Sequence, residues 1–490
     1  MLKATRRSAV LLATVAVGML IASMPSFAEV QNVKVGGDIT ARAFHRECLD
    51  LNCGDDSEAA LTNNTPERED DFLMSTVGVN VGADLTENVG AFIRLTSERD
   101  WNVGAESTSD FDLSQAYVTL KELFYSPLTV RIGQQPISWG RGLVLGSNLL
   151  PGTILNAGDR NAAITANEFT DFTAFDALRA TLDLSGVSGV GVPLTADFVY
   201  IKVDENITTA SDDRNIMGVN LGARFDDMNA ELETYYLNLR GKDTAVVANA
   251  VDAAPSNRDG SVSTLGFRGS ARPAEGANVY AEAAYQFGKR LADNETILPA
   301  GDAAQAWLFN LGADMTFADV AMAPKLGAEW RYTSGKDVDA ANGGWTPIAP
   351  GYFTTALREF QTRSTTLAGF YNNSQVGVTS AQTNQHELGL YGSIKPIEDL
   401  TVNQRLSWFW LPVGAVPPTN VSATASGAKR ERFLGVEWDT VATYNYTDDV
   451  QLGLIYGIFF PGNVFREAAL GTANGSDTAQ ELITTVSVKF

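Results

Sequence analysis

The chain closes on Glu481–Phe490, "ELITTVSVKF". Leu482, Thr484, Val486, Val488 and Phe490 share one face of an extended chain, and Ile483, Thr485, Ser487 and Lys489 share the other. That is the two-residue period of a β-strand. An apolar strand left unpaired is a template for aggregation, so this one needs a partner.

The opposite end supplies the setting. Lys3, Arg6 and Arg7 precede an apolar run from Ala9 to Ala22, and Ser26, Phe27 and Ala28 form a small-x-small site. This is the layout of a secretory signal peptide, with a core too short to span a bilayer. The sequence therefore predicts a cleaved leader over residues 1–28 and one mature domain over 29–490. Removing three basic and no acidic residues moves the formal charge from −22 to −25, a balance that disfavours nucleic acid as a partner. With 44% hydrophobic residues and 24 Phe, the chain is no disordered acidic polymer. No later run approaches the roughly 18 apolar residues of a spanning helix, so membrane residence requires a barrel.

Segments of alternating polarity recur, from "VKVGGDITARAF" (33–44) through "PKLGAEWRY" (324–332) to the last strand, 18 in all, with 16 the alternative. Each is near the ~9–11 residues of a tilted membrane strand. Their connections alternate in length. "TEN", "DDMN", "KPIED" and "TDD" are short, whereas His45–Asp71, Trp139–Phe175, Gly241–Ser261, Gly335–Gln385, Pro412–Glu431 and Pro461–Glu481 are long and polar. Short periplasmic turns and long extracellular loops are the layout of an outer-membrane barrel. The fold class expected is thus all-β: a transmembrane antiparallel β-barrel in which Leu482–Phe490 pairs with Val33–Phe44 and removes both edges. Chains inserted into the outer membrane of Gram-negative-type bacteria commonly end in an aromatic on such a strand, so Phe490 is the expected insertion signal for the barrel-assembly machinery.

Within a segment the two faces differ. Leu326, Ala328, Trp330 and Tyr332 alternate with Lys325, Gly327, Glu329 and Arg331. In a bilayer the apolar set meets lipid and lipopolysaccharide, and the polar set lines water. Trp307 with Phe317, Trp408 with Trp410, Trp438 with Tyr444 and Tyr446, and Phe459 with Phe460 cluster near segment ends, as interfacial girdles do. The same phase assigns Arg42, Arg94, Lys121, Arg131, Arg179, Arg224, Arg268, Arg331 and Arg405 to the lumen, with Glu282, Glu329 and Glu437 among the acids. Bases are denser in the first half and acids in the second, so the lumen is expected either to carry one positive and one negative wall or, as opposite charges match well in number, to be charge-balanced throughout.

Catalytic and metal chemistry find little support. "HELGL" at 386–390 has Leu390 where the second ligand of H-E-x-x-H would stand, and no G-x-S-x-G is present. No cofactor or metal is expected. Cys48 and Cys53, the only cysteines, sit in "ECLDLNCGDD" and are expected to form a local disulfide in an exported chain.

The stretch Leu113–Arg179 carries more. "SQAYVTLKELFYSPLTVRIGQQPISWGRG" is followed by a long loop and "FDALRATLDL". It resembles the alginate-export family of outer-membrane porins, in which an A-Y-V-x-L-K strand leads to R-x-G-x-Q, a Gly/Arg loop and an F-D-x-x-R return strand. The matching positions are Ala116–Lys121, Arg131, Gly133, Gln135, Gly140, Arg141, Phe175, Asp176 and Arg179. The resemblance implies a monomeric 18-strand channel for an anionic polysaccharide, with Arg131 and Arg179 contacting the anion and Arg141 at the mouth. A trimer is the alternative assembly. The function expected is diffusion of polar, anionic or saccharide solutes through a charged lumen gated by loop Trp139–Phe175. The alternative is a structural or adhesive barrel whose loops bind a surface partner.

Overall fold

The computed structural model describes residues 32–49, 51, 69–101, 111–124, 127–147, 164–186, 192–204, 214–241, 260–289, 303–335, 344–357, 383–415, 431–466 and 477–490. The expected leader and Cys53 lie outside them. Eighteen strands follow in order. The first nine are β1 (Asn32–Glu47), β2 (Glu69–Thr86), β3 (Val89–Asp100), β4 (Asp112–Lys121), β5 (Leu128–Gln135), β6 (Phe175–Asp183), β7 (Leu194–Asp204), β8 (Arg214–Phe225) and β9 (Ala230–Gly241). The second nine are β10 (Gly260–Ala271), β11 (Ala277–Lys289), β12 (Ala303–Thr316), β13 (Lys325–Thr333), β14 (Gln385–Ile397), β15 (Leu400–Ala415), β16 (Glu431–Asn445), β17 (Val450–Pro461) and β18 (Ala479–Lys489).

Each strand pairs antiparallel with its sequence neighbours, and β18 pairs with β1 from Asp38↔Lys489 to Glu47↔Gln480. The terminal strand has its partner and the sheet has no edge. Beyond the last pair, Gly37 N–H donates to the Phe490 carbonyl (2.8 Å) and Phe490 N–H to the Gly37 carbonyl (3.0 Å). Short turns lie at one end: β2 reaches β3 across 87–88, β14 reaches β15 across 398–399, and Asp226–Met228 forms a single 3₁₀ turn between β8 and β9. The long connections, among them 136–174 and 334–384, all leave the other end. A disulfide takes up Cys48 at the start of the first of them.

The polarity of the wall is inverted relative to a soluble protein. In β13, Leu326 is 64% exposed whereas Glu329 and Arg331 are 3% and 2% exposed. Val33, Val35, Leu232, Phe267 and Leu311 are likewise open on the outside. An apolar band this continuous requires lipid. No helix among the described residues is long and apolar enough to cross a membrane; the strands do so.

Two expectations change. Phe459 is fully buried inside the barrel against Leu357, Phe409 and Leu434, so it belongs to no girdle; its neighbour Phe460 is the exposed one. The lumen is also not wet throughout. Ile137, Trp139, Leu143 and Leu145 from the β5–β6 loop, with Trp345, Ile348 and Ala349 from the β13–β14 loop, pack on the inner faces of Val199, Ile201, Ile216, Leu237 and Leu239. "FVYIKV" (198–203) is apolar on both faces, which strict alternation would not allow for a strand bordering water.

Candidate functional site

Two loops fold into the barrel and join there. Gly146 N–H donates to the Ala349 carbonyl (2.8 Å), Ala349 N–H to Val144 (3.0 Å), and Gly351 N–H to Gly142 (2.7 Å). These bonds satisfy backbone that would otherwise be orphaned away from the wall. The first loop turns at Gly140 and Gly142, with φ of 59° and 78°. Gly140 is the position where a Cβ would come 2.8 Å from both Glu282 carboxylate oxygens, so only glycine lets the turn sit on that side chain. Trp139 Nε1–H donates to Asp197 (2.8 Å), Gly140 N–H to Glu233 (3.1 Å) and Arg141 N–H to Glu282 (2.9 Å). Three acids on β7, β9 and β11 therefore hold the loop tip.

Arg141 is the innermost cation of this tip. Its guanidinium lies 3.6 Å from the Tyr280 ring centroid and 4.8 Å from that of Tyr352. It donates to the Tyr352 hydroxyl (2.5 Å) and lies 3.7 Å from Glu329. Arg141 is thus deep in the lumen, not at the mouth that the resemblance implied. The reason is the acidic grip of Glu233 and Glu282 on adjacent backbone N–H groups. Burial, reinforced by the Glu329 charge, raises the Tyr352 phenol above its ordinary pKa, so it stays protonated and donates to both Glu329 oxygens at 3.1 Å.

The second loop continues along the wall as a strap. Gln286 exchanges two hydrogen bonds with the Thr346 backbone (2.7 and 2.8 Å). Thr354 Oγ1 donates to Glu387 (3.3 Å), Ala356 N–H to Asp439 (3.2 Å) and Leu357 N–H to Glu437 (2.6 Å). The far end of the first loop is held on another arc. Thr165 N–H donates to Asp100 (2.6 Å) and Asp171 N–H to Glu98 (2.6 Å), and Glu168 pairs with the buried Arg46, which also binds Glu481 (2.6 Å).

The remaining charges pair along the wall, between adjacent strands, across an intervening strand or with the first loop. Arg94 meets Asp38 (2.7 Å) and Asp171 (2.6 Å), Arg179 meets Asp197 (2.8 Å), and Arg268 meets Glu233 (2.5 Å). Arg331 pairs with Glu387, and Arg405 bridges Glu387 (2.8 Å) and Glu329 (3.3 Å). The bases and acids are therefore interleaved on each arc among the described residues, which fits the charge-balanced of the two expectations and not separate positive and negative walls. Arg224 is exposed at the short-turn end, 3.7 Å from Glu231. Gln135 does not face solute; its amide donates to the carbonyls of Arg131, Gly133 and Ala177 (3.2, 3.2 and 3.0 Å).

Arg42, Lys121 and Arg131 form no ion pair among the described residues. Arg42 donates to Thr76 (3.3 Å) beside the Phe169 ring, Arg131 to Thr119 (3.3 Å) over the Tyr117 ring, and Lys121 is exposed. Sequence reasoning missed Asp197, Tyr280, Tyr352 and Tyr391. The alternation of "LTADFVYIKV" (194–203) and of "HELGLYGSI" (386–394) places Asp197 and Tyr391 on the inner face, whereas Tyr352 lies in a loop with no period to read.

A closed barrel with a lipid-facing apolar band and a charged, loop-narrowed lumen is an outer-membrane channel, not an enzyme. The chain belongs to the alginate export family, whose model matches residues 56–477. No curated protein matches it in sequence. Its fold is similar to that of OccAB2 from Acinetobacter baumannii, with a TM-score of 0.54 and 11% identity over 95% of this chain and 99% of that one. The outer membrane protein OpdK of Pseudomonas aeruginosa gives 0.53 and 9%, over 94% and 99%. OccK2 (OpdF) of the same organism, solved with glucuronate, gives 0.52 and 11%, over 94% and 98%. At such identities the likeness is one of fold.

Proposed function

We propose that the channel passes hydroxyl-rich, anionic saccharide solutes by diffusion, with the joined loop segments 136–147 and 344–357 as its constriction. The observation that carries this reading is the lumen itself. Guanidinium–carboxylate pairs line it, Arg42 stands in the field of Asp38, Glu98, Glu168 and Asp171, and Lys121 and Arg131 form no ion pair among the described residues. A polyhydroxylated anion can trade hydrogen bonds along such a wall without being trapped, which conduction requires. Membership of the alginate export family supports a uronate-type solute. The channel works as a monomer seated in lipopolysaccharide, delivered after loss of residues 1–28 and inserted by assembly machinery that reads Phe490.

The test is single-channel conductance in planar bilayers with a KCl gradient and an added oligouronate. Concentration-dependent block that Arg131→Ala weakens about fivefold, the order of one screened charge-assisted contact, is the expected result. A barrel that conducts no ions at any voltage would sink the channel reading. One that conducts but ignores oligouronate would sink the solute assignment.

A further inference from the structure

The inner wall carries tyrosines laid flat on glycines of the adjacent strand. A Cβ at Gly312 would lie 2.1 Å from Tyr280 Cζ, and one at Gly327 would lie 2.4 Å from Tyr391 Cζ. With nothing but backbone beneath it, each ring turns one face to the wall and the other to the lumen. The lumenal face of Tyr280 is covered by the Arg141 guanidinium at 3.6 Å. Over Tyr391 the cations stand farther off, Lys325 Nζ at 5.9 Å and Arg405 Cζ at 5.8 Å from its centroid, so no described cation packs on that ring as Arg141 does on Tyr280. Tyr391 borders a cavity of about 500 Å³ on the short-turn side of the Arg141–Tyr352 constriction.

We propose that Tyr391 is a stacking platform for a pyranose ring, a docking site that solute occupies before the constriction; this rests on the saccharide reading above. The C–H face of a pyranose is apolar and its rim is hydroxylated. The site offers the matching pattern of an aromatic face bordered by polar groups. Asp314 accepts from the Tyr391 hydroxyl (3.1 Å), Asn278 (3.1 Å) and Lys325 (3.1 Å). The ring is thereby fixed before solute arrives, so little order is lost on binding. Ring hydroxyls find Asn278, Asn403 and Asp314, and a ring-borne carboxylate finds Lys325. Stacking recognises the ring whether or not it is charged, so the platform takes neutral as well as uronic pyranoses, unlike the Arg131 contact.

The test uses the full barrel in planar bilayers, with cellotriose or trigalacturonate added on the short-turn side. Tyr391→Phe, which keeps the face, is expected to retain block by both within about twofold. Tyr391→Leu is expected to weaken both about tenfold, each block being read against that variant's own open-channel current. Arg131→Ala is expected to weaken trigalacturonate alone. As a measurement needing no variant, nitration of Tyr391 by tetranitromethane, read by mass spectrometry, is expected to slow at saturating cellotriose. If the wild-type channel is blocked but Tyr391→Leu is blocked equally well, or nitration is unaffected by the sugar, the platform is refuted and the saccharide reading stands. If neither sugar blocks the wild-type channel, both fall.

Discussion

Tyr235 shows how much of the lumen rests on single positions. It is wholly inside, lies across Gly266, and donates to Glu282 (2.7 Å), the same carboxylate that accepts Arg141 N–H. In Gly266→Ala the new Cβ would stand 2.1 Å from Tyr235 Cζ, and the ring would have to leave its bed. Overpacking of this kind costs about 1–3 kcal/mol. Tyr235→Phe keeps the ring and removes one buried donor, a loss of roughly 1 kcal/mol. Heating the folded barrel and following its change in gel mobility should therefore rank Gly266→Ala below Tyr235→Phe, and both below wild type. Equal transitions would mean that the ring does not need the glycine. At this scale the inward phase of Arg268, Arg331 and Glu282 was legible in the alternation, but their partners were not. Arg268 meets Glu233 and Arg331 meets Glu387 because they are direct cross-strand neighbours. That register depends on two strands and a turn, and neither strand states it alone.

The loops are the elements that turn a wide barrel into a narrow one. Segment 344–357 is joined to 142–146 by backbone bonds and to β11, β14 and β16 by Gln286, Glu387, Asp439 and Glu437. Replacing 344–357 with a short Gly-Ser linker leaves every strand pair in place and removes this strap. The open-channel conductance is expected to rise at least about twofold, because the hydrogen-bonded groups that narrow the path are gone. An unchanged current would show that the path runs elsewhere. The other anchor, Arg46 between Glu168 and Glu481, is buried with both acids. Arg46→Ala would strand two buried carboxylates, at a cost of about 3–5 kcal/mol, visible as a lower urea midpoint. The length of loop Trp139–Phe175 announced that it could enter the barrel. Its contacts could not be read, because each pairs residues far apart in sequence, such as Gly142 with Gly351. The one legible trace was the doubly apolar "FVYIKV", whose inner face needed a cover.

For the molecule as a whole, closure is the decisive event, and it was the most legible feature. An even number of alternating segments and an apolar terminal strand leave the first and last strands no partners but each other, and β1 and β18 meet over ten register pairs. Phe490 sits just past that ladder, exchanging two backbone bonds with Gly37 while its ring, 67% exposed, rests on Gly37. Two partly solvated hydrogen bonds and one ring contact are worth about 2 kcal/mol against a seam of this length. A chain lacking Phe490 should thus refold in detergent to a barrel whose urea midpoint falls only slightly. In cells the expectation differs. If the exposed ring is what the assembly machinery reads, the amount of folded barrel in the outer membrane should drop far more than that free energy explains. Phe490→Tyr should restore it and Phe490→Ala should not. Parallel, small losses in vitro and in cells would instead make Phe490 a seam residue alone, since a purely thermodynamic role acts equally wherever the barrel folds.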